Sequence, residues 1–389
     1  MNSIKNEQWP YTLLAPGPVN LHPEIQKALS LPMIHHRTPA FDQILKRVLL
    51  KMKSIFKTQQ DVFLLSSTGS GGMEALLINT IAPKDKVLAI VSGKFGERWA
   101  DMAEVFGADV HRMVVPWGES ANIEKVSEFL NQHPDTQMVL CQACETSTGV
   151  LHPIQQLGEL TKNLHTLLLV DGITALGALP LPMDEWHIDG LVGGSQKAFM
   201  LPTGMSFVSL SEKAWKKKKS SKLNPHFYFD LAKEKDANSK GETYFSSNVS
   251  LIRCLDLVLD LILKDSLENL FATISRRAQF TRHFGIQLGL KIFPKVPSNS
   301  LTTLLLPAEL DGQKIRSDLE SQYNITIMGG QDQLKGKILR VGHMGYISDA
   351  DLMRWLQATF LTLKEHSKNS FTLSWETLET EAQLWLKKN

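Results

Sequence analysis

The sequence predicts an α/β fold: a large domain around a mostly parallel, seven-stranded sheet, then a smaller C-terminal α+β domain. Three observations lead there. Short β-rich runs alternate with segments of helical spacing over the first half of the chain. Several of those runs, "TLLLVD" (166–171) above all, are apolar on successive residues, which suits strands covered on both faces. Beyond about residue 250 the texture changes to long helix and then short strands.

In chain order the predicted strands are "DVFLL" (61–65), "KVLAIV" (86–91), "ADVHRMVV" (108–115), "QMVLCQ" (137–142), "TLLLVD", "DGLVGG" (189–194) and "MSFVSL" (205–210). "GERWADMAEVFG" and "IQQLGELTKNL", which lie between them, have helical spacing. The stretch 250–290 reads as one long amphipathic helix, or as two that hinge between domains. "SLTTLLLP", "NITIMGG" and "KILRVGHMG" follow as short strands with helices between them. In the tail, Trp375, Leu378, Ala382 and Trp385 form a helical stripe suited to packing.

At 389 residues the chain is long enough for two domains. Its 21% charged and 43% hydrophobic residues are those of a globular protein, and a net charge of +2 directs no field at nucleic acid or membrane. The basic cluster "KAWKKKKSSK" (213–222) reads as a solvated surface segment. No apolar run is long enough to span a bilayer, and the start has neither a signal-peptide core nor an Arg-rich amphipathic pattern. Cys141, Cys144 and Cys254 make no disulfide framework, so a cytoplasmic protein is expected. "CQAC" (141–144) has redox or zinc spacing but no second ligand pair, and Cys141 closes an apolar run. Core thiols, and no metal, are the expectation.

Ligands of open α/β sheets sit beyond the carboxyl ends of the strands. "STGSGGMEALL" (67–77) follows a strand and opens a helix, so Thr68, Gly69 and Ser70 can offer N–H groups and hydroxyls to a phosphate. "ETSTGV" (145–150) puts hydroxyls and a glycine after the next strand but two. Asp171 ends "LLLVD", where a carboxylate needs a cationic partner or a capping role. "GGSQK" then brings Lys197 to the following strand end, among small and apolar neighbours that penalise a free ammonium. A lysine amine for a Schiff base, an aspartate for a pyridine nitrogen and an upstream phosphate cradle are what pyridoxal phosphate requires. Phe95 or Trp99 in "SGKFGERW" offers a ring to stack on it.

These motifs resemble a family, the fold-type I, class V pyridoxal-phosphate aminotransferases of the alanine/serine–glyoxylate and serine–pyruvate group. The likeness runs from "LLAPGPVNLHPEI" and "HHRTPAF" through "STGSGGMEA", "GKFGERW", "ETSTGVLHPI", "LLLVDGITALGA" and "GGSQKAFMLPTG" to "MGGQDQLKGKILRVGHMG". It implies an N-terminal arm (1–20), a large cofactor-binding domain (21–265) and a small domain (266–389). It implies Lys197 as the Schiff-base lysine and Asp171 as the partner of the pyridine nitrogen. Thr68, Gly69, Ser70 and Gln196 would hold the phosphate, Phe95 would stack on the ring, and Thr146 would bond the ring hydroxyl side. Arg340 would bind the substrate carboxylate. Tyr244 and Ser247 in "ETYFSSN" match positions that reach the phosphate of a neighbouring subunit, which implies a homodimer with shared sites. Two positions depart from the family pattern: Phe95 stands where mammalian-type enzymes carry tryptophan, and Ser247–Asn248 where a threonine and a proline are usual.

The implied reaction is ping-pong transfer of an amino group from alanine or serine to glyoxylate or pyruvate. Three alternatives compete. A class V lyase of the cysteine desulfurase type would carry histidine before the lysine, where this chain has Gln196, and a cysteine in 325–345, where it has none. A 2-aminoethylphosphonate–pyruvate transaminase fits "HHRTPAF" less well. A non-catalytic module binding a nucleotide phosphate at "STGSGG" leaves Asp171 and Lys197 without a purpose.

Overall fold

The computed structural model describes residues 10–220, 226–367 and 372–388. Residues 1–9 of the expected arm, Ser221 and Lys222 of the basic cluster, and Asn389 lie outside them. After the short β1 (Thr12–Leu13) come β2 (Val62–Leu65), β3 (Lys86–Val91), β4 (Asp109–Val114) and β5 (Met138–Gln142). A hairpin of β6 (Cys144–Glu145) and β7 (Val150–Leu151) precedes β8 (Leu167–Asp171), β9 (Gly190–Gly194) and β10 (Ser206–Leu210).

All seven predicted strands join one sheet, in the order β2-β10-β9-β8-β5-β3-β4. Only β10 runs against its neighbours; the adjacent pairs from β9 to β4 are parallel. The carboxyl ends of β2, β3, β5, β8 and β9 therefore open on one edge. Strands β2, β5, β8, β9 and β10 are buried along their whole length, which is why they are apolar on successive residues. One face packs on helices Pro39–Phe56 and Val249–Asp265 through Phe41, Leu45, Phe207 and Leu255. The other packs on helices Gly69–Ile78 and Lys94–Val105 through Leu76, Trp99, Leu169 and Val192.

The long helical stretch is two helices, Val249–Asp265 and Leu267–Gln287. They break at Ser266 (φ 73°), whose hydroxyl caps the second by accepting from the Asn269 N–H. The later strands β11 (Lys291–Ile292), β12 (Leu301–Leu305), β14 (Met328–Gly329) and β15 (Ile338–Gly342) form an antiparallel sheet in the order β11-β12-β15-β14. The intervening β13 (Ile325–Thr326) pairs instead with β1, in parallel. Leu378 and Ala382 of the tail helix Trp375–Lys388 are buried against this unit, with Trp375 and Trp385 packed on it.

The basic cluster differs from its expectation. On helix Glu212–Ser220, Lys213 pairs with Asp189, Lys217 with Asp85 and Lys218 with Asp230. These lysines fasten the helix to the starts of β3 and β9 and to the N-cap of helix Leu231–Asn238 rather than standing free in water.

Helix Ile154–Thr161 passes so close to the turn at Trp186 that a Cβ on Gly158 would overlap the Trp186 carbonyl oxygen. Gly158→Ala should therefore destabilise the protein by about 1–3 kcal/mol, the usual range for overpacking. Urea unfolding checks this, and an unchanged midpoint would contradict the packing described.

Candidate active site

Strands β8 and β9 are neighbours, so their ends bring Asp171 and Lys197 to the same stretch of sheet edge. Asp171 is only 6% exposed, and its Oδ1 accepts from the Ile173 N–H at 2.9 Å. Burial pushes its carboxyl up to about 7; the Glu145 charge works in the same direction, while the Ile173 N–H, Lys197 and Arg98 oppose it. Lys197, half-buried, donates from Nζ to the Pro16 carbonyl at 2.8 Å. Loss of water pushes its ammonium down to about 8, opposed mainly by Asp171. The two groups feel each other's charge but form no ion pair. Gly17 (φ +129°) passes so near that a Cβ there would lie 2.5 Å from the lysine Nζ. Glycine is needed at Gly17 on both counts.

Around this pair stand the other predicted residues. Thr68 is the N-cap of helix Gly69–Ile78 but spends no side-chain hydrogen bond on capping. The first turn of a helix leaves N–H groups without intrahelical acceptors, so Gly69 and Ser70 present donors at the edge. Gln196, next to the lysine, has a buried Oε1 with no hydrogen bond among the described residues. Of the two candidate rings, Trp99 is fully buried in the core, which leaves Phe95, half-buried on the first turn of helix Lys94–Val105, at the edge.

Glu145 fixes that ring's backbone and was not recognised from sequence. Its carboxylate accepts from the N–H groups of Phe95 (3.1 Å) and Gly96 (3.0 Å), and from Ser147. Burial holds its carboxyl above the usual range, against these donors. The available signal was an acid directly behind an apolar strand, the same signal that identified Asp171.

Thr146 shares a hydrogen bond with Thr174 (Oγ1 to Oγ1, 2.7 Å), and its carbonyl accepts from Arg340 Nη1 at 2.9 Å. Arg340, at the centre of β15 and 7% exposed, also donates from Nε to the Gly329 carbonyl at 3.0 Å. Burial pushes its guanidinium down to about 10. Among the described residues no carboxylate forms an ion pair with it. Tyr244 and Ser247 are not brought into this group. The Tyr244 N–H donates to Glu234 at 3.0 Å, and Ser247 lines a crevice with Leu65 and Ser66, its buried hydroxyl without a hydrogen bond among the described residues.

Residues 24–331 match the Aminotransferase class-V family, and the chain belongs to it. An L-aspartate–glyoxylate aminotransferase of Paracoccus denitrificans is 36% identical over 87% of this chain and 87% of its own length. A serine–glyoxylate aminotransferase of Hyphomicrobium methylovorum is 32% identical over 92% of this chain and 90% of its own. A solved alanine–glyoxylate aminotransferase from Nostoc superposes with a TM-score of 0.88 at 30% identity, covering 91% of this chain and 96% of the other. The protein is thus a fold-type I, pyridoxal-phosphate-dependent transaminase. Among the described residues no helix is long and apolar enough to cross a membrane.

The raised carboxyl of Asp171 predicts a pH signature in the cofactor-free protein. Between its ordinary value of 3.8 and about 7, the unfolded state has released this proton and the folded state has kept it. Stability must then fall as pH rises through that window. Relative to Asp171→Asn, the wild type should lose roughly 2–4 kcal/mol between about pH 4 and 7, with no further divergence above. Denaturant unfolding of both proteins across pH measures the difference; parallel curves throughout would show that Asp171 titrates normally.

Proposed function

We propose that the protein transfers the amino group of a small amino acid, alanine or serine, to glyoxylate or pyruvate, and that it works as a homodimer. The observation that carries the substrate class is Arg340. Its guanidinium is buried and, among the described residues, bonded only to the Thr146 and Gly329 carbonyls, the first of which follows the same sheet edge. A planar cation in that state calls for a planar anion, and a carboxylate is the group that both the amino acid and the keto acid present. Glyoxylate recurs as the acceptor in the names of all three relatives above.

The residues fit pyridoxal phosphate. A desolvated amine and a desolvated carboxyl, unpaired at adjacent strand ends, leave a place for a ring bearing an aldehyde and a basic nitrogen. The N–H groups at the helix start of Thr68, Gly69 and Ser70, and the side-chain amide of Gln196 donating through Nε2, suit its phosphate, and Phe95 its face. When bound, the group supplies an aldehyde that takes up the donor amine and a ring that spreads the electron pair left at the α-carbon. Asp171 keeps the ring nitrogen protonated. Lys197 Nζ, with an ammonium already destabilised by burial, takes a proton from the α-carbon and returns it, as general base and then acid. Arg340 holds the carboxylate so that the α-hydrogen faces that amine. Thr146 would bond the ring hydroxyl side. The Pro16–Gly17 segment covers the lysine and keeps water away.

The lyase reading is opposed by Cys144. It lies on β6 at the same edge, and burial pushes its thiol up to about 11, away from a nucleophilic thiolate. The homodimer is supported by exposed aromatics, Phe227 (67%) and Tyr228 (50%), packed around Phe245 on the loop that carries Tyr244 and Ser247. Tyr244 and Ser247 would then serve the partner's phosphate site.

A panel of amino donors against glyoxylate and pyruvate tests the substrate assignment, with alanine or serine expected to lead; a donor without an α-carboxylate that turned over equally well would overturn it. Lys197→Ala should lose steady-state transamination while still binding cofactor without a covalent link, and wild-type turnover without added amine would sink the lysine's role. Arg340→Lys keeps a charge but loses the two-point grip. Apparent affinity for amino and keto acids should fall together by about 2–4 kcal/mol. Unaltered saturation by both substrates would return Arg340 to the scaffold.

A further inference from the structure

Arg98, on helix Lys94–Val105, joins two parts of the site that are separate in sequence. Its guanidinium carbon lies 4.9 Å from the centroid of the Phe95 ring. Its Nη1 donates to Ser70 Oγ at 3.3 Å. Three acids near it on the same helix, Glu97, Asp101 and Glu104, are all engaged by Arg112. Among the described residues no carboxylate pairs with Arg98.

That arrangement is electrostatically one-sided. The N-terminus of helix Gly69–Ile78 carries the positive end of the helix dipole, and Arg98 brings a full positive charge to the same place. Two like fields converge on Ser70 and call for an anion. Because Ser70 Oγ accepts from Arg98, its own O–H stays free to donate. We propose that Arg98 is the positioning cation of the phosphate cradle, directing the Ser70 hydroxyl at the cofactor phosphate and backing the Phe95 ring. The inference rests on reading Thr68, Gly69 and Ser70 as that cradle, and it adds the charge which their neutral groups lack. It also gives the ring a cation against one face.

The test compares pyridoxal phosphate with pyridoxal, which lacks the phosphate, in binding titrations of cofactor-free protein followed by tryptophan fluorescence and absorbance. Wild type should prefer the phosphorylated form strongly. Arg98→Met should weaken binding of pyridoxal phosphate by about tenfold to a hundredfold, the range for losing one charge-assisted contact, and leave pyridoxal within about twofold. Arg98→Lys should recover part of the preference. If wild type prefers neither ligand, the cradle reading and the proposal fall together. If wild type shows the preference and Arg98→Met keeps it, the cradle stands and the role of Arg98 is overturned. Should Arg98→Met lose both ligands through misfolding, Arg98→Lys decides: a retained preference supports the charge role, and an equal loss of both ligands overturns it.

Discussion

The site depends on a carboxyl and an amine that the fold removes from water at neighbouring strand ends without letting them pair. Asp171 closes a strand buried along its whole length, and Lys197 follows another. Each would gain by meeting the other, since an ion pair offsets part of the desolvation that both suffer. Instead Lys197 is drawn to the Pro16 carbonyl and Asp171 to the Ile173 N–H. The sheet thereby keeps two reactive groups apart and uncompensated. A cofactor with a positive nitrogen at one end and a carbonyl carbon at the other would relieve both, which would couple its binding to stability.

The rest of the molecule maintains that separation. The segment before Pro16 is anchored far from the seven-stranded sheet: β1 pairs with β13, and the Gly342 N–H donates to the Leu14 carbonyl at 2.6 Å. Its course from there carries Gly17 across Lys197. Arg340 makes a second link, reaching from β15 to the Thr146 carbonyl behind β5. The C-terminal sheet therefore meets the edge through one segment that covers the amine and one guanidinium that reaches the Thr146 carbonyl. A shift between the two sheets would move both at once.

Much of this was legible in the sequence because burial on both faces writes itself as consecutive apolar residues. The five strands buried along their whole length were readable for that reason, whereas β4 is exposed or half-buried along its length, and Asp171 and Lys197 stood out as charges at the ends of buried runs. What could not be read were contacts between distant segments. Whether Phe95 or Trp99 faced the edge depended on how the helix sits on the sheet, and Trp99 proved to be core. Glu145 grips Phe95 across fifty residues of sequence, Pro16 meets Lys197 across 181, and Ser70 meets Arg98 across 28. The lysines of helix Glu212–Ser220 looked solvated because their acidic partners lie elsewhere in the chain. Tyr244 and Ser247 are assigned a role only through the family likeness, and one subunit alone does not bond them to the residues around Lys197.

The central claim is that Lys197 is the amine that meets the cofactor carbonyl, and covalent trapping tests it most directly. Protein loaded with pyridoxal phosphate is reduced with borohydride, digested, and its peptides are weighed. The account predicts one modified peptide, carrying the reduced cofactor on Lys197, and none when Lys197→Ala is treated in the same way. A cofactor adduct on another lysine of the wild type, with Lys197 unmodified, would contradict it.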